Sequence, residues 1–241
     1  MNDSEESLDG AKYAINAISE LLPENSPNSD RALERLDEFD EQYVKDGLMG
    51  EHAFICSFSR TPDHLVQWRS YGLYAVEFHN SLEGELKDFY PCFYEDHTKK
   101  HEAAAFVART RAAIADEYRR GEKDWDFAVM DKMWKLADFV NQFKHQSFKD
   151  ENEVRLIRLM SSHANVINYR ARGDLLVPYL KVKFKLEHIK AIHIGPMKNQ
   201  DLAVISMTSF INNLEINNRP ADEFGDFKIQ IIPSAIPYRQ I

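Results

Sequence analysis

The chain has 241 residues, of which 44% are apolar, and its 30 Lys and Arg against 39 Asp and Glu give a formal net charge of −9. A chain of this length and apolar content can bury a sizeable core, which excludes intrinsic disorder and fibrous proteins as expectations. We find no run apolar enough for a membrane span or a secretory signal, and the acidic balance argues against duplex DNA as a partner. We therefore expect a cytoplasmic protein with no membrane partner.

Apolar residues at steps of three and four predict two amphipathic helices in the first 50 residues. The first runs from Ser7 to Leu22 and ends before Pro23, and the second is an acidic helix from about Leu33 to Gly47. The run at 53–59 is rich in strand-forming residues and predicts a buried strand.

The residues that follow predict a short helix that carries Trp68 and Arg69. In the sequence Thr61-Pro62-Asp63, the threonine provides a cap, the proline the first helical position and the aspartate an acid in the first turn. Further strands are predicted at 73–78 and 88–94, and Pro91 indicates an edge or a bend in the latter.

Two long helical patterns, at about 97–120 and 125–143, predict a helical insert at about 97–145. Strand patterns return afterwards, and Arg172-Gly173-Asp174 fits a hairpin turn. The later strands are predicted at 153–160, 166–170, 175–183, 190–195 and 227–232, with a helix at 199–214.

Strands and helices therefore occur in separate blocks instead of alternating regularly. This arrangement favours an α+β fold with a mixed, largely antiparallel sheet, clustered helices and a two-helix insert. We expect one domain that covers residues 1–241.

Several catalytic motifs are missing from the sequence: the phosphate loop, the Gly-x-Gly-x-x-Gly turn, the Gly-x-Ser-x-Gly elbow and paired Cys-x-x-Cys. His97 and His101 have the spacing of two metal ligands on a helix. Because Lys99 and Lys100 lie between them, a solvated helix start is favoured, and we expect no metal. The two cysteines cannot form a disulfide framework.

The first candidate site follows the strand at 53–59. Ser57, Ser59, Trp68, Arg69 and Tyr71 lie where a strand end meets a helix start, and their hydroxyls, ring groups and guanidinium suit an anion or a ribose. The alternative is that Ser59 or Thr61 only caps the helix, Trp68 belongs to the core and Arg69 pairs with an acid.

The second candidate site is the start of the strand at 153–160. Strand alternation predicts that Glu151, Glu153 and Arg155 share one face, with Val154 and Leu156 in the core. A carboxylate on such a face can bind sugar hydroxyls and stabilise an oxocarbenium-like transition state. The alternative is a surface ion pair between Glu153 and Arg155, which contributes little to the stability of the fold.

The locally basic zone extends from Tyr169 to Lys185. Alternation in the predicted strand places Lys181, Lys183 and Lys185 on one face, where they can meet phosphate, nucleic acid or an acidic partner. A solvated sheet face is the alternative.

These segments, taken in order, resemble a bacterial family known as domain of unknown function 2971. The residues that carry the resemblance are Cys56-Ser57-Phe58-Ser59, Asp63-x-x-x-x-Trp68-Arg69-x-Tyr71-Gly72, Phe148-x-x-Glu151-x-Glu153-x-Arg155, Tyr169-Arg170-x-Arg172-Gly173-x-Leu175-x-Val177-Pro178-Tyr179, Ile192-x-Ile194-Gly195-Pro196 and Ser234-x-Ile236-Pro237-Tyr238-Arg239. The segments span residues 54–239. Members of that family typically open with a further strand and helix, which implies that this chain begins inside the domain; a different strand order is the alternative.

The family pattern is similar in layout to ADP-ribosyltransferases that cleave NAD. By that analogy Ser57 and Ser59 lie near the nicotinamide ribose, Trp68 or Tyr71 lines the ring pocket and Arg69 meets the pyrophosphate. By the same analogy Glu153 or Glu151 is catalytic and contacts the ribose 2′-hydroxyl. Arg155 belongs to the cofactor-binding residues.

The first hypothesis for function is thus an NAD-consuming, ADP-ribosyltransferase-like enzyme, a toxin or phage-defence effector, with NAD as its nucleotide ligand. The alternative is a non-catalytic module that uses Arg69, Arg155 and Arg172 to bind an anionic ligand or an acidic protein partner. A nucleic-acid-acting effector is disfavoured by the net charge of −9.

Overall fold

The structure, a computed structural model, describes residues 4–161, 164–218 and 228–237. The chain divides into two compact units, each built from separate stretches of sequence. Unit 1 comprises Met1–Phe58 and Asp88–Lys181, and unit 2 comprises Ser59–Lys87 and Val182–Ile241. Helices and small, mostly antiparallel sheets confirm the predicted α+β class. The single domain stays a prediction.

The elements in chain order begin with the helices, which are α1 Ser4–Ser19, α2 Pro27–Leu36, α3 Glu41–Gly50, α4 Leu65–Tyr71, α5 Ser81–Leu86, α6 Asp96–Arg119, α7 Phe127–Val140 and α8 Gln200–Asn218. The strands are β1 Glu51–Ser59, β2 Tyr74–Phe78, β3 Phe89–Pro91, β4 Glu153–Ser161, β5 Asn168–Arg172, β6 Leu175–Tyr179, β7 Ile189–Ile194 and β8 Gln230–Pro233. Short 3-10 helices occupy Gln146–Glu151 and Leu186–His188.

The core of unit 1 lies between helices α1, α2, α6 and α7. Small residues such as Ala11 and Ala103 are fully buried there, which lets the helices approach closely. At Gly10 the approach is closest, because a Cβ atom would overlap the carbonyl oxygen of Val140. The two long helices predicted as an insert, α6 and α7, thus supply half of this helical core.

Two sheets complete unit 1. One has the strand order β1-β4-β3, in which β3 and β4 are antiparallel and Tyr90 pairs with Arg155. The other is the antiparallel hairpin of β5 and β6. Gly173 in its two-residue turn has a φ of +58°, a conformation that favours glycine, and the predicted hairpin is confirmed.

The predicted acidic helix from Leu33 to Gly47 is wrong as a continuous element. It is two helices, α2 and α3, separated by a short connection in which Phe39 is buried. The carboxylate of Asp40 accepts a hydrogen bond from the backbone N–H of Tyr43 at 2.6 Å. This side-chain cap starts a new helix where the apolar periodicity predicted an unbroken one.

Two further boundaries differ from the prediction. Helix α4 begins at Leu65 instead of Pro62, because the side chain of Asp63 bonds to distant partners described below. The strand predicted at 175–183 ends at Tyr179, so the three lysines at positions 181, 183 and 185 do not share a strand face. The predicted lysine face is therefore wrong.

Unit 2 is a three-stranded sheet covered by α8. The strand order is β2-β7-β8, with β2 antiparallel and β8 parallel to β7. Ile192, Ile211 and Ile229 form the buried contact between α8 and the sheet. The last strand was predicted from residue 227, which lies outside the described residues, and β8 begins at Gln230.

Candidate functional site

The residues that the sequence singles out fall in both units. Ser57, Glu151, Glu153 and Arg155 belong to unit 1, and Ser59, Trp68, Arg69 and Tyr71 belong to unit 2. Each set is therefore described within its own unit.

Strand β4 brings Glu153 and Arg155 together. Asn152, with a left-handed φ of +43°, ends the 3-10 helix before it and turns the chain into the strand. Val154 and Leu156 are buried on one face, as predicted, but Glu153 and Arg155 are buried as well. Both faces of the strand are covered, so the alternative of a surface ion pair is wrong.

Glu151 lies in the 3-10 helix Gln146–Glu151 and not in the strand. The prediction that it shares a strand face with Glu153 and Arg155 is wrong for this reason. It joins the same group of charges by another route, through Lys144.

The carboxylate of Glu153 accepts hydrogen bonds from three side chains. The donors are Arg155 Nε at 2.7 Å, Ser57 Oγ at 2.5 Å and the ammonium of Lys144. Burial by itself raises the pKa of Glu153, but these three bonds outweigh it and hold the pKa below its usual 4.5. Glu153 is therefore ionised at neutral pH.

Lys144 and Arg155 extend this group in two directions. Lys144 donates to Glu151 at 2.6 Å; burial lowers the pKa of the lysine, but Glu151 and Glu153 raise it by more. Arg155 donates to the carbonyl of Asn141 at 2.6 Å and to Glu6 of α1 at 2.8 Å. We call Glu6, Lys144, Glu151, Glu153 and Arg155 the charged cluster.

Sequence reasoning missed Lys144 and Glu6. Lys144 follows the buried Phe143 just beyond α7, where its backbone N–H donates to the carbonyl of Phe93 at 3.0 Å. Glu6 lies in the first turns of α1, which carries several acidic residues. Glu6 has no local signal in the sequence, because its partner Arg155 lies 149 residues away. Lys144 is seven and nine residues from Glu151 and Glu153, but the strand alternation that singled these two out does not extend to it.

The charged cluster is closed to solvent in its centre. The side chain of Glu153 is only 3% exposed, and each of its two oxygens accepts at least one hydrogen bond. An ionised carboxylate has no proton to donate, and here both of its oxygens already accept hydrogen bonds from neighbouring side chains. What the cluster does is join β1, β4, the end of α7 and α1.

In unit 2 the side chain of Trp68 is buried against Gly195. A Cβ atom on Gly195 would lie 2.8 Å from Cε3 of the indole ring, so only glycine fits beneath it. The indole Nε1 donates to Asp63 at 2.7 Å. The structure thus places Trp68 in the core of unit 2.

Asp63 is the second residue of this contact. Its carboxylate also accepts hydrogen bonds from Ser234 Oγ at 2.6 Å and from the backbone N–H of Ala235 at 3.0 Å. Burial raises the pKa of Asp63, but its hydrogen bonds with Ser234 and Trp68 hold it below the usual value. Asp63 therefore fastens the segment after β8 to the start of α4.

The remaining candidates of unit 2 lie at its surface. Ser59 Oγ accepts a hydrogen bond from the backbone N–H of Thr61 at 2.9 Å, in a local turn. Because α4 has His64 at its N-cap, the alternative that Ser59 or Thr61 caps this helix is wrong. Tyr71 is exposed, and so is Arg69, which makes no ion pair with any described residue.

The β5–β6 hairpin of unit 1 carries exposed cations. Arg170 lies over the Tyr179 ring, with 5.6 Å between guanidinium carbon and ring centroid. Arg172 has no ion pair or hydrogen bond to another side chain in the described part of the chain. Leu175 and Leu176, at the tip, are exposed, as is Tyr169.

A depression of about 610 Å³, open to solvent, lies beside α1 and α3. Lys12, Asn16, Asp40 and Lys45 are among the residues that line it. None of the residues that the sequence singles out lines this depression.

Within the described ranges, no three or more His, Cys, Asp or Glu residues cluster as metal ligands would. The same ranges contain no helix that is long and apolar enough to cross a membrane. At the exposed start of α6, the imidazole of His97 contacts the hydroxyl of Thr98, and the imidazole of His101 contacts the carboxylate of Glu102.

Comparison with family models, with curated proteins and with solved structures finds no match to this chain. The resemblance to domain of unknown function 2971 therefore stays a prediction that rests on the motifs themselves. Two sets of those motif residues meet in space: Ser57 with Glu153 and Arg155, and Asp63 with Trp68, Gly195 and Ser234.

Proposed function

We propose that this chain is a non-catalytic binding module whose β5–β6 hairpin binds an acidic segment of a partner protein. The observation that carries the proposal is the pair of exposed arginines, Arg170 and Arg172, on one face of a hairpin whose tip exposes two leucines.

Charge supports an acidic partner. From residue 168 to residue 181 the chain has three cations, Arg170, Arg172 and Lys181, and one anion, Asp174, within a chain of net charge −9. Guanidinium groups that have no internal carboxylate partner are available for bidentate pairing with carboxylates of another chain.

The leucines support a protein segment over a nucleic acid. Leu175 and Leu176 are consecutive strand residues, so they point to opposite faces of the hairpin, and Leu176 is 69% exposed. A partner that covers both must offer apolar side chains around the tip. A phosphate backbone offers charge but little apolar surface.

The charged cluster also favours binding over catalysis. The NAD-consuming hypothesis needs a glutamate that reaches a ribose, and the carboxylate of Glu153 is enclosed and hydrogen-bonded by Arg155, Lys144 and Ser57. That hypothesis stays a prediction, and release of free nicotinamide from NAD by the purified chain, lost in Glu153→Gln, is the result that would establish it against our proposal.

The binding experiment uses a short fluorescent peptide of alternating Glu and Leu residues. We expect its fluorescence anisotropy to rise as the chain is added, and the double variant Arg170→Gln/Arg172→Gln to bind about tenfold more weakly, since charge-assisted hydrogen bonds are lost. The variant Leu176→Ser should weaken binding as well.

Matched controls separate the hairpin from general charge effects. Arg69→Gln and Arg109→Gln each remove an exposed arginine outside the hairpin and should leave peptide binding unchanged. Equal loss in these controls, tight binding of the matching Gln–Leu peptide, or binding of vesicles of anionic lipid or single-stranded DNA in preference to the peptide would each overturn the proposal.

A further inference from the structure

A second surface, in unit 2, has an open strand edge. Strand β2 is at the end of the order β2-β7-β8, and its pairs with β7 include Tyr74 with Ile194 and Val76 with Ile192. The backbone N–H of Gly195 donates to the carbonyl of Leu73 at 2.8 Å, so alternation turns the polar backbone groups of Tyr74 and Val76 away from β7. No described residue pairs with that outer side.

Apolar side chains accompany the open edge. Tyr74 and Val76 lie on the same sheet face as Ile192 and Ile194, directly across the strand pair. Helix α8 covers this face over β7 and β8, but Tyr74 and Val76 remain about half exposed. The sheet face beside α8 therefore has an uncovered apolar strip along β2.

Helix α8 exposes apolar side chains on its outer side, interspersed with uncharged polar ones such as Ser209 and Asn213. Leu202, Ile205 and Ile216 fall on one stripe by helical spacing and are exposed, with Ile205 at 66%. Between residues 202 and 214 the helix has no charged residue. Exposed apolar residues on one stripe of a helix segment without charge mark a surface that a partner can cover.

We propose that unit 2 binds a second copy of this chain through the edge of β2, with the two α8 helices on the same side of the joined sheet. A two-fold axis perpendicular to the sheet extends it from three strands to six. It keeps both helices on one face, so that α8 of each copy faces the strip formed by Tyr74 and Val76. This two-fold arrangement thus pairs the open edge of β2 and also covers the apolar strip and the outer face of α8.

A second copy fits the charges of this edge better than a charged partner does. Glu77 is the one charged residue of β2, and its carboxylate is held inside its own sheet by Lys190 and His193 at 2.6 and 2.7 Å. A chain of net charge −9 would repel its copy at most surfaces, whereas this edge and α8 between residues 202 and 214 present no unpaired charge.

The symmetric register that suits these residues is centred on Ala75. It places Tyr74 opposite Val76 of the second copy, an aromatic with a β-branched side chain, and brings the two Ala75 residues into a non-hydrogen-bonded pair. A register centred on Glu77 would oppose two carboxylates. Cα atoms in a pair of this kind are close enough for a disulfide.

The test is the molar mass of the full chain by light scattering across a range of concentrations. We expect a species of twice the 28.0 kDa chain mass, and its loss in Val76→Lys, because the new ammonium would have to be buried beside the joined edge. Val66→Lys is the matched control, since Val66 is 54% exposed against 48% for Val76 and lies on α4 of the same unit. It should remain a dimer.

A second measurement does not depend on the folding of Val76→Lys. In a Cys56→Ser background, Ala75→Cys should form a disulfide-linked dimer on mild oxidation and Ser70→Cys should not. A wild-type chain that is monomeric at every concentration, a Val66→Lys variant that dissociates as readily as Val76→Lys, or an Ala75→Cys variant that stays unlinked would overturn the proposal.

Discussion

The charged cluster and the β5–β6 hairpin use arginines on antiparallel strands of the same unit in opposite ways. On β4, Arg155 is buried and bonded to Glu153, Glu6 and a backbone carbonyl. On β5, Arg170 and Arg172 are exposed and have no carboxylate partner among the described residues. Enclosure, and not residue type or spacing, therefore decides whether the arginines of such a strand can bind a partner.

The physical cause of the difference is the cost of removing charge from water. Once α1 and the segment after α7 cover β4, each buried charge must have a partner, and Arg155, Lys144 and Glu153 each pair with an opposite charge within the cluster. On the hairpin, Arg170 and Arg172 are exposed and pair with no carboxylate of the described residues, so their guanidinium groups keep their capacity to bind.

The largest expected effect comes from breaking the buried cluster. Arg155→Met removes the partner of Glu153 and Glu6, and we expect it to lower the free energy of unfolding by about 3–5 kcal/mol, since one partner of a buried pair is left behind. Urea unfolding measures this. Arg172→Met is the matched control and should change stability by less than about 0.5 kcal/mol. Equal losses in the two variants would show that the cluster does not brace the fold.

A smaller effect is expected where unit 2 relies on close packing instead of charge. Gly195→Ala places a methyl group 2.8 Å from the buried ring of Trp68 and should cost about 1–3 kcal/mol in unfolding free energy. Gly84→Ala on α5 is the control, since no neighbouring atom lies within 4 Å of its Cβ position. Because alanine favours a helix over glycine, this variant should raise the free energy of unfolding by up to about 1 kcal/mol. Retained stability in Gly195→Ala would refute this packing.

The smallest of these effects is the pH dependence that Glu153 adds. Because its folded pKa lies below the usual 4.5, its ionised form stabilises the fold above that pH, and this contribution is lost as the pH falls through the folded pKa. Each unit of pKa difference is worth about 1.4 kcal/mol. The stability gap between wild type and Glu153→Gln should therefore narrow below pH 4.5 in urea unfolding series.

The exposed Glu34→Gln variant is the control for this series and should keep a constant difference from wild type. A gap for Glu153→Gln that is the same at pH 7 and pH 3 would mean that the charge of Glu153 has no special stabilisation in the folded state.

The same comparison explains how far the sequence could predict the cluster. Strand alternation predicted that Glu153 and Arg155 share a face, and they do. It could not predict that the face is covered, because the covering residues, Glu6 and Lys144, contact it only through tertiary packing. The long helices α6 and α7 were predictable because their apolar spacing persists over many turns.

The errors in the fold have equally specific causes. An aspartate can begin a helix or bond elsewhere, and Asp63 bonds to Ser234, which is 171 residues away. The alternating pattern of β6 continues to residue 185, but its partner β5 begins at Asn168, which pairs with Tyr179, so the ladder has no further residue to pair with. The alternating pattern of one strand does not reveal how long its partner strand is.

Two assays, urea unfolding and binding of the Glu–Leu peptide, separate the buried arginine from the exposed ones when Arg155→Gln is compared with Arg170→Gln/Arg172→Gln. We predict that Arg155→Gln loses stability and, where it remains folded, binds the peptide as the wild type does, whereas the hairpin variant keeps its stability and loses binding. Loss of binding in folded Arg155→Gln, or unchanged binding in the hairpin variant, would show that enclosure does not decide which arginines of this chain bind a partner.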